Sequence, residues 1–308
     1  MLTEQSPAHA VQTTPIFVTG TQRSGTTLLY RILSASKQIF CWNEMFSVHG
    51  ALFGEPGKQP VLEHEFAQMM QNRLKLDSEI PPVSKPDSFR YGMNIAANRA
   101  GLDRWCVKDP KITYFLPDYA QAFPDARFIV IVRDGRAVCR SYLDTSTFSL
   151  GRPSNAIAAA DKWSREVKLQ LEFMNAYPGR YLRIQYEDLV RDFAPHVGRI
   201  ADYLELDDPA DMLRYHEDTS SGTHIHAGNQ NVLTPPDPSR IDTWRAALTS
   251  REVGEFESIA GQTLNSLGYE TSGPARHVGS LRRWHQRLSD RITQEIRWQK
   301  YKRAQKSS

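Results

Sequence analysis

Short apolar runs alternate with helical patterns along most of the chain. The segment PIFVTG at 15–20 is a β-branched run that ends in glycine, as a buried strand does before a loop. The apolar positions that follow recur at helical spacing: Leu28, Leu29, Ile32 and Leu33. This pattern predicts a strand, a glycine-containing loop and a helix in succession.

The same alternation continues further along the chain. Apolar runs at 104–109 and 126–135 predict strands, and the second is apolar on both faces, which is typical of a central strand in a parallel sheet. A run at 181–189 predicts another strand followed by a turn, and helical patterns cover 154–177 and 194–206. The fold predicted is α/β: a P-loop-like central parallel sheet flanked by helices, in a single domain.

Three regions fall outside that alternation. Residues 45–100 are rich in Gly and Pro and predict an irregular region with one helix near 61–76, which would cover or line a site. We expect residues 1–14 to be a disordered tail, 15–272 to form the domain, and 273–308 to form a basic amphipathic tail.

The net charge of +3 becomes informative when it is located. Residues 276–306 carry ten Lys or Arg against two acids, so this segment holds +8 and the rest of the chain −5. A mildly acidic body with a basic end is not the pattern of a nucleic-acid-binding domain, and we expect no such partner.

Within the basic end, Leu281, Trp284, Leu288 and Ile292 recur at helical spacing. Residues 281–303 therefore predict a basic amphipathic helix, suited to peripheral contact with a membrane, to a partner helix, or to packing on its own domain. These alternatives stay open, as does a homodimer.

The chain has no run of about 18 apolar residues and no apolar core of a signal peptide, which predicts a cytoplasmic protein, peripheral at a membrane if the basic helix binds one. Its cysteines show no CxxC spacing, and we expect no metal site: Cys41, Cys106 and Cys139.

The loop GTQRSGTT at 20–27 has the glycine spacing of a nucleotide-binding P-loop, but Thr26 stands where that loop has its lysine. Backbone N–H groups at such a turn bind anions, and Arg23 adds a charged donor. The anion-binding candidates are Arg23, Ser24, Gly25, Thr26 and Thr27. A tight turn with capping hydroxyls is the other interpretation.

A second motif, VRDGRAVCRS, begins where the strand at 126–135 ends, and ligands bind at the carboxyl ends of strands in α/β sheets. Arg133 leaves the strand and Ser141 follows eight residues later. Together they could hold a second phosphate. Alternatively, the motif is a capped helix start.

Together these motifs resemble those of the PAPS-dependent sulfotransferases, most closely the tyrosylprotein sulfotransferases and their bacterial relatives, over about residues 15–270. RSGTT resembles the 5'-phosphosulfate loop of that family, and Arg133 and Ser141 have its spacing for the 3'-phosphate. The resemblance implies 3'-phosphoadenosine 5'-phosphosulfate (PAPS) as sulfuryl donor, the bisphosphate PAP as product, and no metal requirement.

The resemblance also implies catalytic roles. Glu44, in CWNEMF, stands at the family's distance from Arg23 and would be the general base toward the acceptor hydroxyl. Arg23 and Lys108, the latter in VKDP, would stabilise charge on the bridging oxygen. The alternatives are a solvated glutamate and a surface lysine, and His49 is a lower-ranked candidate base.

Further positions follow from the same resemblance. Tyr186, in QYEDL, would lie near the nucleotide, and Ser239 and Arg240, in DPSRIDTWR, would reach the 3'-phosphate. Trp163 would serve packing, and the polar loop at 222–231 could close over donor or acceptor.

In the tyrosylprotein enzymes, cysteines at the positions of Cys41 and Cys106 form a disulfide. In a cytoplasmic setting we expect two adjacent free thiols instead.

The function predicted is sulfuryl transfer to the hydroxyl of a glycan, a lipid-linked molecule, a small molecule or a tyrosine. A P-loop kinase or NTPase using ATP and Mg²⁺ is the alternative enzyme, weakened by the missing lysine. A non-catalytic nucleotide-binding protein is the alternative outside catalysis.

Overall fold

A five-stranded parallel sheet lies at the centre of the computed structural model, which describes residues 13–45, 48–144, 151–218, 227–273 and 278–306. In chain order the strands are β1 (Ile16–Gly20), β2 (Phe40–Asn43), β3 (Trp105–Lys108), β4 (Arg127–Val132) and β5 (Tyr181–Gln185). Their order across the sheet is β2-β3-β1-β4-β5. The predicted α/β fold is confirmed, although β1 rather than β4 is the middle strand.

Helices surround this sheet. They are α1 (Thr26–Ala35), α2 (Val48–Phe53), α3 (Glu63–Leu74), α4 (Lys85–Arg99), α5 (Leu116–Ala122), α6 (Gly135–Leu143), α7 (Ala156–Ala176), α8 (Tyr186–Arg191), α9 (Phe193–Leu204), α10 (Ala210–Leu213), α11 (Trp244–Ala247), α12 (Ser250–Ser266) and α13 (Ser280–Lys306). Among the described residues, no helix is long and apolar enough to cross a bilayer.

The two faces of the sheet bury separate apolar clusters, as the alternation of side chains along each strand requires. In β1, Phe17 points to the cluster that contains α3, α4 and α5, and Val18 points to the cluster that contains α1 and α9. A third cluster joins the end of β4 to α6, α7 and α12. The helices on both faces bury every strand side chain of β4 except that of Arg127.

The helix predicted near 61–76 is confirmed as α3, but the prediction that the rest of 45–100 is irregular was wrong, because α2 and α4 occupy much of it. The Pro-rich stretch before α4 marks a helix start: Ser84 caps the helix and Pro86 lies in its first turn. The strand predicted to run to 189 ends at Gln185, and α8 follows at once. Residues 40–43 form β2, which the pattern did not predict, because this edge strand is short and half-buried.

Candidate active site

The predicted functional residues follow the carboxyl ends of neighbouring strands. The loop at 20–25 follows β1, Glu44 follows β2, Lys108 ends β3, Arg133 follows β4, and Tyr186 follows β5. Because all five strands run parallel, these positions meet at one edge of the sheet. The fold therefore brings together residues as distant in the sequence as Arg23 and Tyr186, which are 163 positions apart.

The loop between β1 and α1 is built around two glycines. A Cβ on Gly20 would lie 2.7 Å from Ile131 Cγ2, and one on Gly25 would lie 2.6 Å from Tyr186 Cδ2. Gly25 also has φ 106°, in the left-handed region that favours glycine. Ser24 donates from both its N–H and its hydroxyl to the Thr21 carbonyl, so this serine closes the loop on itself.

The start of α1 at Thr26 has the free N–H donors of a helix N-terminus. The first backbone N–H groups of α1 have no partner within the helix, and its N-cap residue, Gly25, has no side chain that could accept from them. Thr26 is buried and Thr27 half-buried at this terminus. Such a helix N-terminus attracts a negative group through its N–H donors and the helix dipole.

Arg23 and Ser141 meet directly beside this terminus. Arg23 Nε donates to Ser141 Oγ at 2.8 Å, although the two residues belong to the two separate motifs. Arg133 Nη1 donates to the Arg23 carbonyl at 3.1 Å, and the Arg133 guanidinium lies 4.0 Å from the centre of the Tyr186 ring. Four residues predicted to hold the donor thus form one cluster.

Two guanidinium groups, those of Arg23 and Arg133, lie together in this cluster, and the Asp144 carboxylate acts on Arg23 as well. Burial lowers the pKa of Arg23, and the nearby charge of Arg133 lowers it further. Arg133 Nε is buried and makes no hydrogen bond within the part of the chain that the structure describes. A bound anion would satisfy this donor and relieve the repulsion between the two guanidinium groups.

Trp163 contacts the backbone of Arg133 in this cluster. It is fully buried and donates from Nε1 to the Arg133 carbonyl at 3.2 Å. Its ring packs on Phe256 and would collide with a Cβ on Gly135. The packing role predicted for Trp163 is confirmed, and its hydrogen bond sets where Arg133 leaves the strand.

Glu44 and Lys108 form an ion pair beside the cluster. Lys108 Nζ lies 2.9 Å from Glu44 Oε1, and the Glu44 N–H donates to the Lys108 carbonyl at 2.8 Å. The Lys108 side chain is 1% exposed, whereas that of Glu44 is 36% exposed. Glu44 Oε2 takes no hydrogen bond from any residue that the structure describes. One oxygen of the Glu44 carboxylate is thus bound by Lys108, and the other is available to accept a hydrogen bond.

Both Arg23 and Glu44 have backbone conformations that are unusual for residues with a side chain. Their φ angles are 76° and 48°, in the left-handed region. Such conformations cost about 1–3 kcal/mol each and concentrate at functional sites. The surrounding hydrogen bonds must therefore hold these two residues in place.

A buried network that sequence reasoning missed holds the segment after Glu44. Asp109 Oδ2 accepts the Met45 N–H at 2.8 Å and lies 2.9 Å from His49 Nε2. His49 Nδ1 lies 2.9 Å from the Tyr119 hydroxyl. His49 is 2% exposed with both ring nitrogens bonded, so it is not placed as a base. The feature of the sequence that could have indicated this network is Asp109, which follows Lys108 in VKDP.

Ser239 and Arg240 are not joined to the cluster. Both are exposed and bond to Asp237, and no hydrogen bond or ion pair links them to Arg23 or Arg133 among the described residues. Their turn, Pro238–Arg240, does contact α8, the helix that begins with Tyr186. Half of the polar loop predicted at 222–231 lies outside the described residues, and 227–231 belong to a 3₁₀ helix, Ala227–Leu233.

The two cysteines predicted to be adjacent lie opposite each other on β2 and β3. Cys41 and Cys106 are register partners in that strand pair, and both are free thiols. Burial raises the pKa of Cys106, and a hydrogen bond with Cys41 raises it further. This buried Cys106 is therefore held as the neutral thiol.

Comparison with known proteins identifies the family. The profile of the sulfotransferase family matches residues 15–210. The chain belongs to the sulfotransferase family. Protein-tyrosine sulfotransferase A of Caenorhabditis elegans is 24% identical over 272 residues, which cover 86% of this chain and 69% of the worm protein.

Solved structures share the fold. The sulfotransferase domain of the Synechococcus PCC 7002 olefin synthase has a TM-score of 0.58 at 21% identity, covering 86% of this chain and 98% of that domain. Mouse sulfotransferase SULT7A1, solved in complex with PAP, has a TM-score of 0.51 at 15% identity, covering 82% and 84%.

These similarities confirm the predicted family and its closeness to the tyrosylprotein sulfotransferases. The chain is a sulfotransferase, and its reaction is sulfuryl transfer. The kinase or NTPase alternative is not favoured.

Proposed function

We propose that this sulfotransferase takes its sulfuryl group from PAPS and transfers it to an acceptor hydroxyl. The observation that carries the proposal is the cluster in which Arg23 contacts both Ser141 and Arg133 beside the start of α1. Its buried, unbonded Arg133 Nε and its two repelling guanidinium groups fit a ligand that bears more than one anionic group.

The donor groups are assigned by residue. The N–H groups at Gly25, Thr26 and Thr27, with Arg23, would hold the 5'-phosphosulfate. Arg133 and Ser141 would hold the 3'-phosphate, and Tyr186, which packs on Arg133, would lie beside the nucleotide. Ser239 and Arg240 stay predictions for the 3'-phosphate. The PAP complex of a structural neighbour supports this assignment at the level of the fold.

Glu44 acts as the general base. Its Oε2 accepts the proton of the acceptor hydroxyl while Lys108 holds Oε1, and the acceptor oxygen forms a bond to sulfur. The bond from sulfur to the bridging oxygen of the donor breaks, and that oxygen keeps the electron pair. Lys108 and Arg23 stabilise the negative charge that develops there. No step is assigned to a metal ion.

The acceptor is a hydroxyl of a tyrosine, a glycan, a lipid-linked molecule or a small molecule. The name of the worm relative favours tyrosine in proteins. Screening tyrosine peptides, glycans and phenols with PAPS labelled in its sulfuryl group would identify it through the labelled product.

The donor is tested by thermal unfolding with PAP, with ATP and Mg²⁺, and without ligand. A ligand at about 1,000 times its dissociation constant stabilises by about 4 kcal/mol, which shifts the midpoint by several degrees. We expect PAP to raise the midpoint of the wild type but not of Arg133→Ala. Arg183→Ala removes an exposed arginine on β5 and should respond like the wild type. A shift with ATP and Mg²⁺ alone would contradict the proposal.

A further inference from the structure

Helix α13 attaches to the body of the protein through its polar face. Its residues form hydrogen bonds and ion pairs with α7, α12 and the segment before α7, for example between Arg287 Nε and Asp161 at 2.7 Å and between Ser154 N–H and Asp290 at 2.7 Å. The α13 residues in these contacts are Arg282, Gln286, Arg287, Asp290, Gln294 and Arg297. Most of them recur every three or four residues, so they lie on one side of the helix.

The apolar residues of α13 point away from the body. Leu281 is 78% exposed, Trp284 61% and Ile292 53%, and Leu288 and Ile296 are also exposed. These five positions are spaced by three or four residues and form one continuous stripe. The arrangement is the reverse of a helix that packs on its own core, and large exposed apolar patches mark interaction sites.

Positive charge accompanies this stripe, which we call the outward stripe. Residues 280–306 contain nine Lys or Arg and two acids. Arg291, Lys300 and Lys302 are exposed, and the Lys302 ammonium lies 5.1 Å from the centre of the exposed Trp298 ring. Apolar and aromatic side chains flanked by Arg and Lys are the composition of helices that lie in the interface of anionic membranes.

We propose that the outward stripe of α13 docks on an anionic lipid surface. Its apolar side chains would enter the boundary between headgroups and acyl chains, and the flanking cations would contact the acidic headgroups. A second copy of this chain fits the stripe less well, because it would place two strongly basic helices against each other. The polar face of α13 stays on the body, so docking requires no unfolding of the domain.

The contacts of α13 also orient the domain on such a surface. Gln294 and Arg297 donate to the Arg152 carbonyl, and the Arg152 guanidinium donates to the carbonyls of Ser141 and Tyr142. Ser141 is the residue that bonds Arg23 in the proposed donor site. The lipid surface would therefore lie on the side of the molecule that carries α6.

Flotation of the full chain with vesicles tests the proposal. We expect co-flotation with vesicles that contain phosphatidylcholine and phosphatidylserine, and little with phosphatidylcholine alone. Leu288→Ser with Ile292→Ser should lower the partition onto the acidic vesicles by more than about tenfold, because binding scales with the buried apolar area. Both side chains are exposed, so the melting temperature should not change.

A matched control removes two exposed apolar side chains elsewhere. Leu62→Ser with Val83→Ser should float like the wild type. Equal flotation of the two double variants would overturn the proposal. A wild-type protein that stays in the bottom fraction of the gradient with acidic vesicles would overturn it as well. The proposal would also be overturned if the wild type does not bind vesicles but forms a dimer in sedimentation velocity, and the Leu288→Ser and Ile292→Ser changes dissociate that dimer. The outward stripe would then contact a second copy of the chain.

Discussion

Lys108 Nζ lies 2.9 Å from Glu44 Oε1 at the ends of the neighbouring strands β3 and β2. The register pairs Asn43 with Lys108, and the Glu44 N–H continues that pairing by donating to the Lys108 carbonyl. The ion pair therefore follows from strand register rather than from two long side chains that meet by chance. It joins a buried ammonium to a carboxylate that opens to solvent.

Because they form one unit, Glu44 and Lys108 should respond non-additively to substitution. Glu44→Gln is expected to lower the single-turnover rate of sulfuryl transfer by about 10²–10⁴-fold and to leave PAP affinity unchanged. Lys108→Met removes the charge at similar volume, and the double variant should lose less than the product of the two single losses. Glu172→Gln, on the exposed side of α7, is the control. If the rate loss of the double variant equals the product of the two single losses, the two residues act independently.

Gly25 is predicted to be essential for donor binding. Gly25→Ala adds both the left-handed strain of about 1–2 kcal/mol and a contact between its Cβ and the Tyr186 ring. Gly57→Ala shares a positive φ, 77°, but its Cβ would lie in open space. We expect both variants to melt at lower temperature and the Gly25 variant alone to lose PAP affinity by calorimetry. Equal PAP affinity of the Gly25→Ala and Gly57→Ala variants would show that the loop at 20–25 does not bind the donor.

Asp109 should make stability depend on acid pH. Burial raises the pKa of this carboxyl, but the His49 hydrogen bond and charge, with the Lys111 and Met45 N–H groups, lower it more, so the net pKa lies below the ordinary 3.8. A lowered folded pKa gives stability that is present above about pH 3.8 and is lost as pH falls toward the folded value.

The variant Asp109→Asn should therefore unfold more easily than the wild type at pH 7, by about 1–3 kcal/mol, and the difference should shrink below pH 4. Denaturant unfolding across this range measures it. Asp77→Asn, at an exposed turn, should be neutral throughout. A difference that persists unchanged in acid would show that the ionised carboxylate is not what stabilises the segment after Glu44.

Trp163 should affect donor binding through Arg133. Trp163→Phe keeps an aromatic ring in the core but loses the hydrogen bond to the Arg133 carbonyl, a contribution of about 0.5–1.5 kcal/mol. We expect PAP affinity to fall by up to about tenfold, as measured by calorimetry, with a modest loss of melting temperature. Trp298→Phe, on the outer part of α13, is the control. An unchanged affinity would limit Trp163 to packing.

The pattern of apolar positions was enough to predict four of the five strands and the long helix α7, because interior strands and buried helix faces impose strict spacing. It was not enough for β2 or α4. The edge strand β2 is short and half-buried, and the buried face of α4 mixes Phe89 and Met93 with small and polar residues such as Ser88, Gly92 and Asn94, so its apolar spacing is weak. Both elements depend on neighbours that are distant in the sequence.

The sequence by itself determined the α/β fold, the sulfotransferase family and the residue types of the site, since glycine loops and arginines after strands are local features. Tertiary structure alone decided which of these residues touch. Arg23 bonds Ser141 across 118 positions, His49 turns into the network of Asp109, and α13 packs with its apolar stripe outward. Each outcome depends on the order of the parallel strands and on the packing of helices between them, which no local spacing specifies.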